Sequence, residues 1–157
     1  MKKISVILGA LALGCVAMFT SCNQEVAANG SNSYWCDVNA TITPDEKQKD
    51  YFVSPKAVDG YVSWTEADGS NYTVYDLEVD YTYYTSKDAK DPTDGTWRVQ
   101  IRDFDGEYAL IYTYPQADEK KCTLTVDGDL DDDEFTVKVV YPAGSQVSSV
   151  EATFTRK

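Results

Sequence analysis

Histidine is absent from this chain of 157 residues. Its absence removes imidazole acid–base catalysis, Ser–His and Cys–His nucleophile pairs, and most catalytic zinc sites. Only carboxylate, Lys, Tyr or Ser–Lys chemistry is left, and the expectation is a protein that is not an enzyme. Basic charge is also scarce. Against 26 acidic residues stand 14 Lys and Arg, a net charge of −12. So acidic a chain repels phosphate backbones, which excludes nucleic acid as a partner, and it gains nothing from an anionic bilayer surface. No stretch of useful length has helical periodicity. The one long apolar run, from Ile4 to Phe19, falls short of the roughly 20 residues of a membrane-spanning helix.

That run has a specific setting. It follows Met1-Lys2-Lys3 and ends at Phe19-Thr20-Ser21-Cys22, with no Lys or Arg closely behind it. A positive start, a short apolar core and small residues before a break make a secretory signal, here residues 1–21. Phe19-Thr20-Ser21-Cys22 resembles a lipobox, the junction at which a bacterial prolipoprotein is cut to leave an acylated cysteine. Phe19 departs from the usual aliphatic residue, a departure that lipoproteins of the Bacteroidota tolerate. The resemblance implies lipidation at Cys22 and, with several acyl chains, a stable membrane anchor. Cutting at Cys15 instead would leave a very short apolar core. The residue after Cys22 is Asn23 and not the Asp that commonly retains such proteins at the inner membrane, so the expected location is the outer membrane. Residues 22–33 are polar, carry Gly and Ser, and read as a flexible tether. Loss of Lys2 and Lys3 with the signal leaves 12 basic against 26 acidic residues, or −14.

From residue 34 to 157 the pattern has period two, the signature of half-buried strands. Tyr34, Cys36, Val38, Ala40 and Ile42 share one face, and a looser strand follows around Tyr61 to Thr65. Tyr75, Leu77, Val79, Tyr81 and Tyr83 form the next inward set, then Trp97, Val99 and Ile101. Tyr108, Leu110, Tyr112 and Tyr114 come after, then Cys122, Leu124 and Val126. Phe135, Val137, Val139 and Tyr141, followed by Val150, Ala152 and Phe154, complete about eight strands. Asp68-Gly69, Asp105-Gly106, Asp127-Gly128 and Ala143-Gly144 supply tight-turn chemistry between them. The expectation is one all-β domain, an antiparallel two-sheet β-sandwich. The alternative is an up-and-down barrel of lipocalin-like form. Gly95-Thr96-Trp97 is similar to the lipocalin Gly-x-Trp, but it opens the fourth strand and not the first.

With Cys15 removed and Cys22 acylated, Cys36 and Cys122 remain, both on inward faces. In an oxidising compartment they are expected to form a disulfide across the sandwich. At that sequence separation the link would stabilise by about 4–5 kcal/mol in the loop-entropy model.

Two constellations are candidates for binding. Asp127, Asp129, Asp131 and Asp133 lie in an acidic hairpin whose spacing begins like a calcium loop. It lacks the bending Gly, since Asp132 stands there, and it lacks the closing Glu, since Lys138 does. The plainer reading is a solvated turn. Trp35, Tyr61, Tyr72 and Tyr84 are predicted to face outward, and exposed rings near Asp and Asn suit stacking against sugars. Calcium is the only metal these motifs suggest, and no other cofactor is expected. The combined expectation is a lipid-anchored envelope lipoprotein that binds an extracellular glycan or an envelope protein without catalysis. The alternatives are a structural or assembly subunit and a carboxylate-based glycan hydrolase.

Overall fold

The computed structural model describes residues 33–52, 58–66 and 71–157. The signal segment, Cys22, the tether up to residue 32 and the Asp68-Gly69 turn lie outside the described residues. Eight strands occupy most of the described residues: β1 (Ser33–Pro44), β2 (Val58–Glu66), β3 (Thr73–Tyr83), β4 (Thr93–Phe104), β5 (Glu107–Tyr114), β6 (Thr123–Asp127), β7 (Glu134–Val140) and β8 (Val147–Arg156). A 3-10 turn, Glu119–Lys121, sits between β5 and β6, its start capped by the Asp118 carboxylate, which accepts from the Lys120 N–H.

The strands form one sheet in the order β5-β4-β3-β2-β1-β8-β7-β6. This antiparallel sheet curls until it nearly closes into a barrel, which replaces the two-sheet sandwich expected from sequence. The physical reason lies in the connections. Every pair of consecutive strands except β5 and β6 is hydrogen-bonded, so no second sheet is started, and β1 pairs with β8 from Cys36↔Arg156 to Pro44↔Val147 to join the chain's two halves. Eight strands enclose a space that side chains alone can fill.

That space is filled by the period-two residues. Val38, Ala40, Ile42, Val62, Leu77, Val79, Trp97, Val99, Ile101, Val137, Val139, Val150, Ala152 and Phe154 are all essentially buried. Phe135 and Phe154 stack at 5.2 Å between ring centroids. Gly60 takes an inward position where any side chain would collide, since a Cβ there would lie 2.3 Å from Val38 Cγ2. The β4–β5 turn is the two-residue kind anticipated, with Asp105 (φ 53°) and Gly106 (φ 83°) both left-handed. Positive φ at both positions matches the right-handed twist of the paired strands.

Between β5 and β6 the ladder is open. Side chains close the gap instead. At one end the Tyr108 hydroxyl donates to Asp129 at 3.2 Å. At the other, Tyr141 accepts from Trp97 Nε1 at 2.8 Å and shares a hydrogen bond with Thr113 Oγ1 at 2.7 Å. The inward residues of this seam, Tyr108, Leu110, Leu124 and Val126, are only half-buried.

β5 departs from the sequence pattern at one residue. Gln100 pairs with Tyr112 and Ile101 with Leu110, leaving Ile111 as the extra residue of a bulge. A bulge shifts the alternation by one position. Leu110 and Thr113 therefore share the inward side, Thr113 pairing with Val99, while Tyr112 and Tyr114 turn outward beside Gln100 and Arg98. The expectation that Tyr112 and Tyr114 face the core is corrected accordingly.

The disulfide is likewise corrected: Cys36 and Cys122 are both free thiols. The register explains why. Thr123 pairs with Val140, Val140 with Ser149, and Ser149 with Thr43. Cys122 thus lies level with the far end of β1, and the seven residues from Cys36 to Thr43 span about 23 Å along the strand. A disulfide needs Cα atoms within about 7 Å. Both thiols face inward, but at opposite ends of the barrel. Burial pushes the Cys36 thiol up to about 11.

Candidate functional site

Hairpins that end together leave clefts at the two mouths of the barrel. The first mouth gathers the start of β1, the ends of β2 and β8, and the β6–β7 hairpin. Its cleft, about 470 Å³, is lined by Tyr34, Trp64, Tyr75 and Leu130 below Glu66, Asp103, Asp131 and Arg156, with Thr73 beside them. Leu130, 1 % exposed within the acidic hairpin, is a plug that turns in under the rim.

The rings form a continuous floor. Tyr34 and Trp64 meet at 5.8 Å, and Trp64 and Tyr75 at 6.5 Å with their planes 30° apart. Arg156 lays its guanidinium on the Tyr34 ring at 4.2 Å, and the Tyr34 hydroxyl donates to the Leu130 carbonyl at 3.5 Å. Tyr75 is 8 % exposed, and its hydroxyl has no hydrogen-bond partner among the described residues. Burial raises its phenol to about 12, with Asp131, Asp103, Asp129 and Glu66 adding to the shift. Tyr34 is also raised to about 12, by burial first and against the pull of Arg156. Both phenols therefore stay protonated at neutral pH; the Tyr34 proton is given to Leu130, and the Tyr75 hydroxyl can donate to a ligand.

The second mouth lies at the opposite end of β3. Its clefts, about 560 and 220 Å³, share Tyr81, Asp94, Gly95 and Thr96. Phe52 stacks on Tyr83 at 5.7 Å. Gly95 lets the Tyr81 ring lie against the backbone, since a Cβ there would sit 2.7 Å from Tyr81 Cζ. This mouth has rings and acids but no cation among its lining residues.

The aromatic residues singled out by sequence do not form one site. Trp35 faces outward and is 53 % exposed, edge-on to the Tyr61 ring at 4.9 Å. Tyr61 shares that outer face but is only 3 % exposed. Tyr72, half-buried with Arg102 at 5.9 Å from its centroid, and Tyr84 flank the two ends of β3. An eleven-residue strand holds them about 35–40 Å apart. The structure thus brings Trp35 to Tyr61 and separates the other two.

The acidic hairpin gathers a different set from the alternating one. Carboxylates of Asp129, Asp131 and Asp132 lie within 4.8 Å of one another, all exposed, and Asp127 and Asp133 are not of that group. Asp129 already accepts from Tyr108, and Asp132 accepts from the Asp129 N–H at 3.1 Å. Two of the three carboxylates therefore hold the turn.

Sequence reasoning missed Trp64, Tyr75, Leu130 and Arg156 as a group. Trp64, Tyr75 and Arg156 lie on three strands; the β2–β3 register pairs Trp64 with Tyr75, and the β1–β8 register sets Arg156 beside the start of β1. It also missed the outward Arg98, 5 % exposed, which donates to both oxygens of Asp76 at 2.7 and 2.5 Å. Gln100 adds a third bond to Asp76 at 2.9 Å. Such a pair is tolerated in burial because the carboxylate's acceptor sites are filled. Comparison of the chain with protein-family models, with curated proteins and with solved structures finds no match in any of the three.

Proposed function

We propose that this protein is a lipid-anchored lipoprotein of the outer membrane that binds an extracellular saccharide at the first mouth, without catalysis. One observation carries the reading. A concave floor of Tyr34, Trp64 and Tyr75 lies beneath three carboxylates and a guanidinium. Sugars present apolar C–H faces that rest on aromatic rings and hydroxyls that bond to charged side chains. The free Tyr75 hydroxyl is a preformed donor in that floor. The anchor rests on the junction at Cys22.

Binding is favoured over hydrolysis by the setting of the acids. A glycosidase acid needs a carboxyl raised by apolar burial. Glu66 and Asp131 are exposed, and the Asp103 carboxylate accepts from the Gly106 N–H at 2.8 Å. A second reading, an envelope protein pairing with the free edges of β5 and β6, is favoured by the open ladder. The side-chain bonds that bridge the seam at both ends weigh against it.

The test is retention of the full chain, in detergent, on a panel of insoluble polysaccharides and mucins. Retention should fall at least about tenfold in Trp64→Ala and be unchanged in Trp35→Ala, which removes a ring from the outer face. Equal loss in both variants, or retention on nothing, would refute the mouth as the site. Labelled fatty acid should enter the parent chain and not Cys22→Ala.

A further inference from the structure

We infer that the first mouth selects saccharides carrying a free, protonated amine; this rests on the saccharide reading of the same mouth. The charge at the cleft is lopsided. Glu66, Asp103 and Asp131 contribute three negative charges and Arg156 one positive, so the lining carries 1 − 3 = −2. The guanidinium lies on the Tyr34 ring at 4.2 Å and has no acidic partner within ion-pair distance among the described residues. The carboxylates of Glu66 and Asp131 are thus left to the ligand, while Asp103 also accepts from the Gly106 N–H at 2.8 Å. Asp129 lies close enough to act on the Tyr75 phenol together with those three.

The acids of the lining therefore stand around a cleft whose floor includes Tyr75, a residue 8 % exposed whose hydroxyl has no hydrogen-bond partner among the described residues. An ammonium placed over Tyr75 would meet carboxylates at its edge and the electron-rich ring face below, and both attract a cation. A sugar carboxylate in the same place would meet like charge in a chain of net charge −12. A neutral sugar would gain the hydrogen bonds and the stacking alone.

The experiment compares two oligosaccharides of equal length and linkage, one of glucosamine with free amines and one fully N-acetylated. Both are titrated into the full chain in detergent, below the pKa of the amine. The free-amine oligomer should bind about tenfold more tightly, as a charge-assisted hydrogen bond implies. Asp103→Asn combined with Asp131→Asn should bring the two affinities within about twofold, while Arg156→Gln should retain or enlarge the preference. Tyr75→Phe should weaken both oligomers alike, because it removes a donor to the sugar and no charge. Equal affinity of the parent chain for the two oligomers would overturn the amine preference and leave saccharide binding standing. Binding of neither would overturn both. An oligolysine bound as tightly as the free-amine oligomer would show a cation site with no demand for a sugar, and a preference abolished by EDTA would move the effect to a metal at Asp129, Asp131 and Asp132; either result overturns the inference.

Discussion

The wall of the barrel and its seam are built from the same kind of strand, yet they hold together differently. In the wall, from β4 through β1 to β7, each strand is hydrogen-bonded to the next, and inward residues such as Leu77, Val99 and Val137 are fully buried. At the seam no ladder joins β5 to β6, and Leu110, Leu124 and Val126 are half-buried. Three hydrogen bonds, through Tyr108, Thr113 and Tyr141, bridge the gap. The difference teaches that alternation alone provides a face, and the ladder decides how completely that face is hidden.

The sharpest test of this contrast is truncation of one residue on each side. Leu77→Ala should cost about 2–5 kcal/mol, since it opens a cavity that the wall cannot collapse. Leu124→Ala should cost less than about half as much, because water and neighbours already share its surface. Denaturant unfolding measures both, and equal losses would break the comparison.

Next in size is Tyr141→Phe. It leaves the Trp97 N–H and the Thr113 hydroxyl without their buried partner and should cost about 1–3 kcal/mol. Tyr108→Phe, at the exposed end of the seam, should cost less. If the order is reversed, the seam is held at the other end.

A pH titration sharpens the same point. Burial raises the Tyr108 phenol to about 12, with its hydrogen bond to Asp129 adding to the shift, and it raises Tyr141 as well. Tyr34, Tyr75 and Tyr81 are likewise raised to about 12. The unfolded chain loses these protons near pH 10 and the folded chain retains them, so stability is full below about pH 10 and falls as pH rises toward 12. Melting temperature against pH, followed with tyrosinate absorbance, should show that decline. A flat profile across this range would contradict the burial of the phenols.

The smallest effect is kinetic. Cys122, half-buried beside the 3-10 turn, should react with a thiol reagent in the native state, whereas Cys36 should wait for unfolding. Raised pH should speed Cys122 first, although burial and then Glu119 and Asp118 raise its thiol too. Mass mapping of the label decides between them.

Much of the wall was legible in the residues. Val38, Ala40 and Ile42 in β1 and Phe135, Val137 and Val139 in β7 alternate without interruption, and a buried face fixes their register. The bulge at Ile111 was not legible, because Tyr-Ala-Leu-Ile-Tyr-Thr-Tyr reads equally well in either phase once one residue is unpaired. The cleft was harder still. Trp64 sits at the end of a short alternating run and Arg156 at the end of the chain, and neither has a local pattern that points to the other. The reading of Trp35 found an exposed ring, but exposure on an outer face does not make a concavity.

By itself the sequence determined that the domain is all-β, because period-two alternation with turn residues between runs admits no helix that could bury its apolar side. It also determined the acidity and the absence of imidazole chemistry, which follow from composition whatever the fold. Only the tertiary structure decided between sandwich and barrel, because both bury the same alternating face and differ in which strands pair. That choice set Cys36 and Cys122 at opposite ends. It also brought Tyr34, Trp64, Tyr75 and Arg156 to one mouth, since the neighbours of a strand end depend on pairing and curvature, which no single strand encodes.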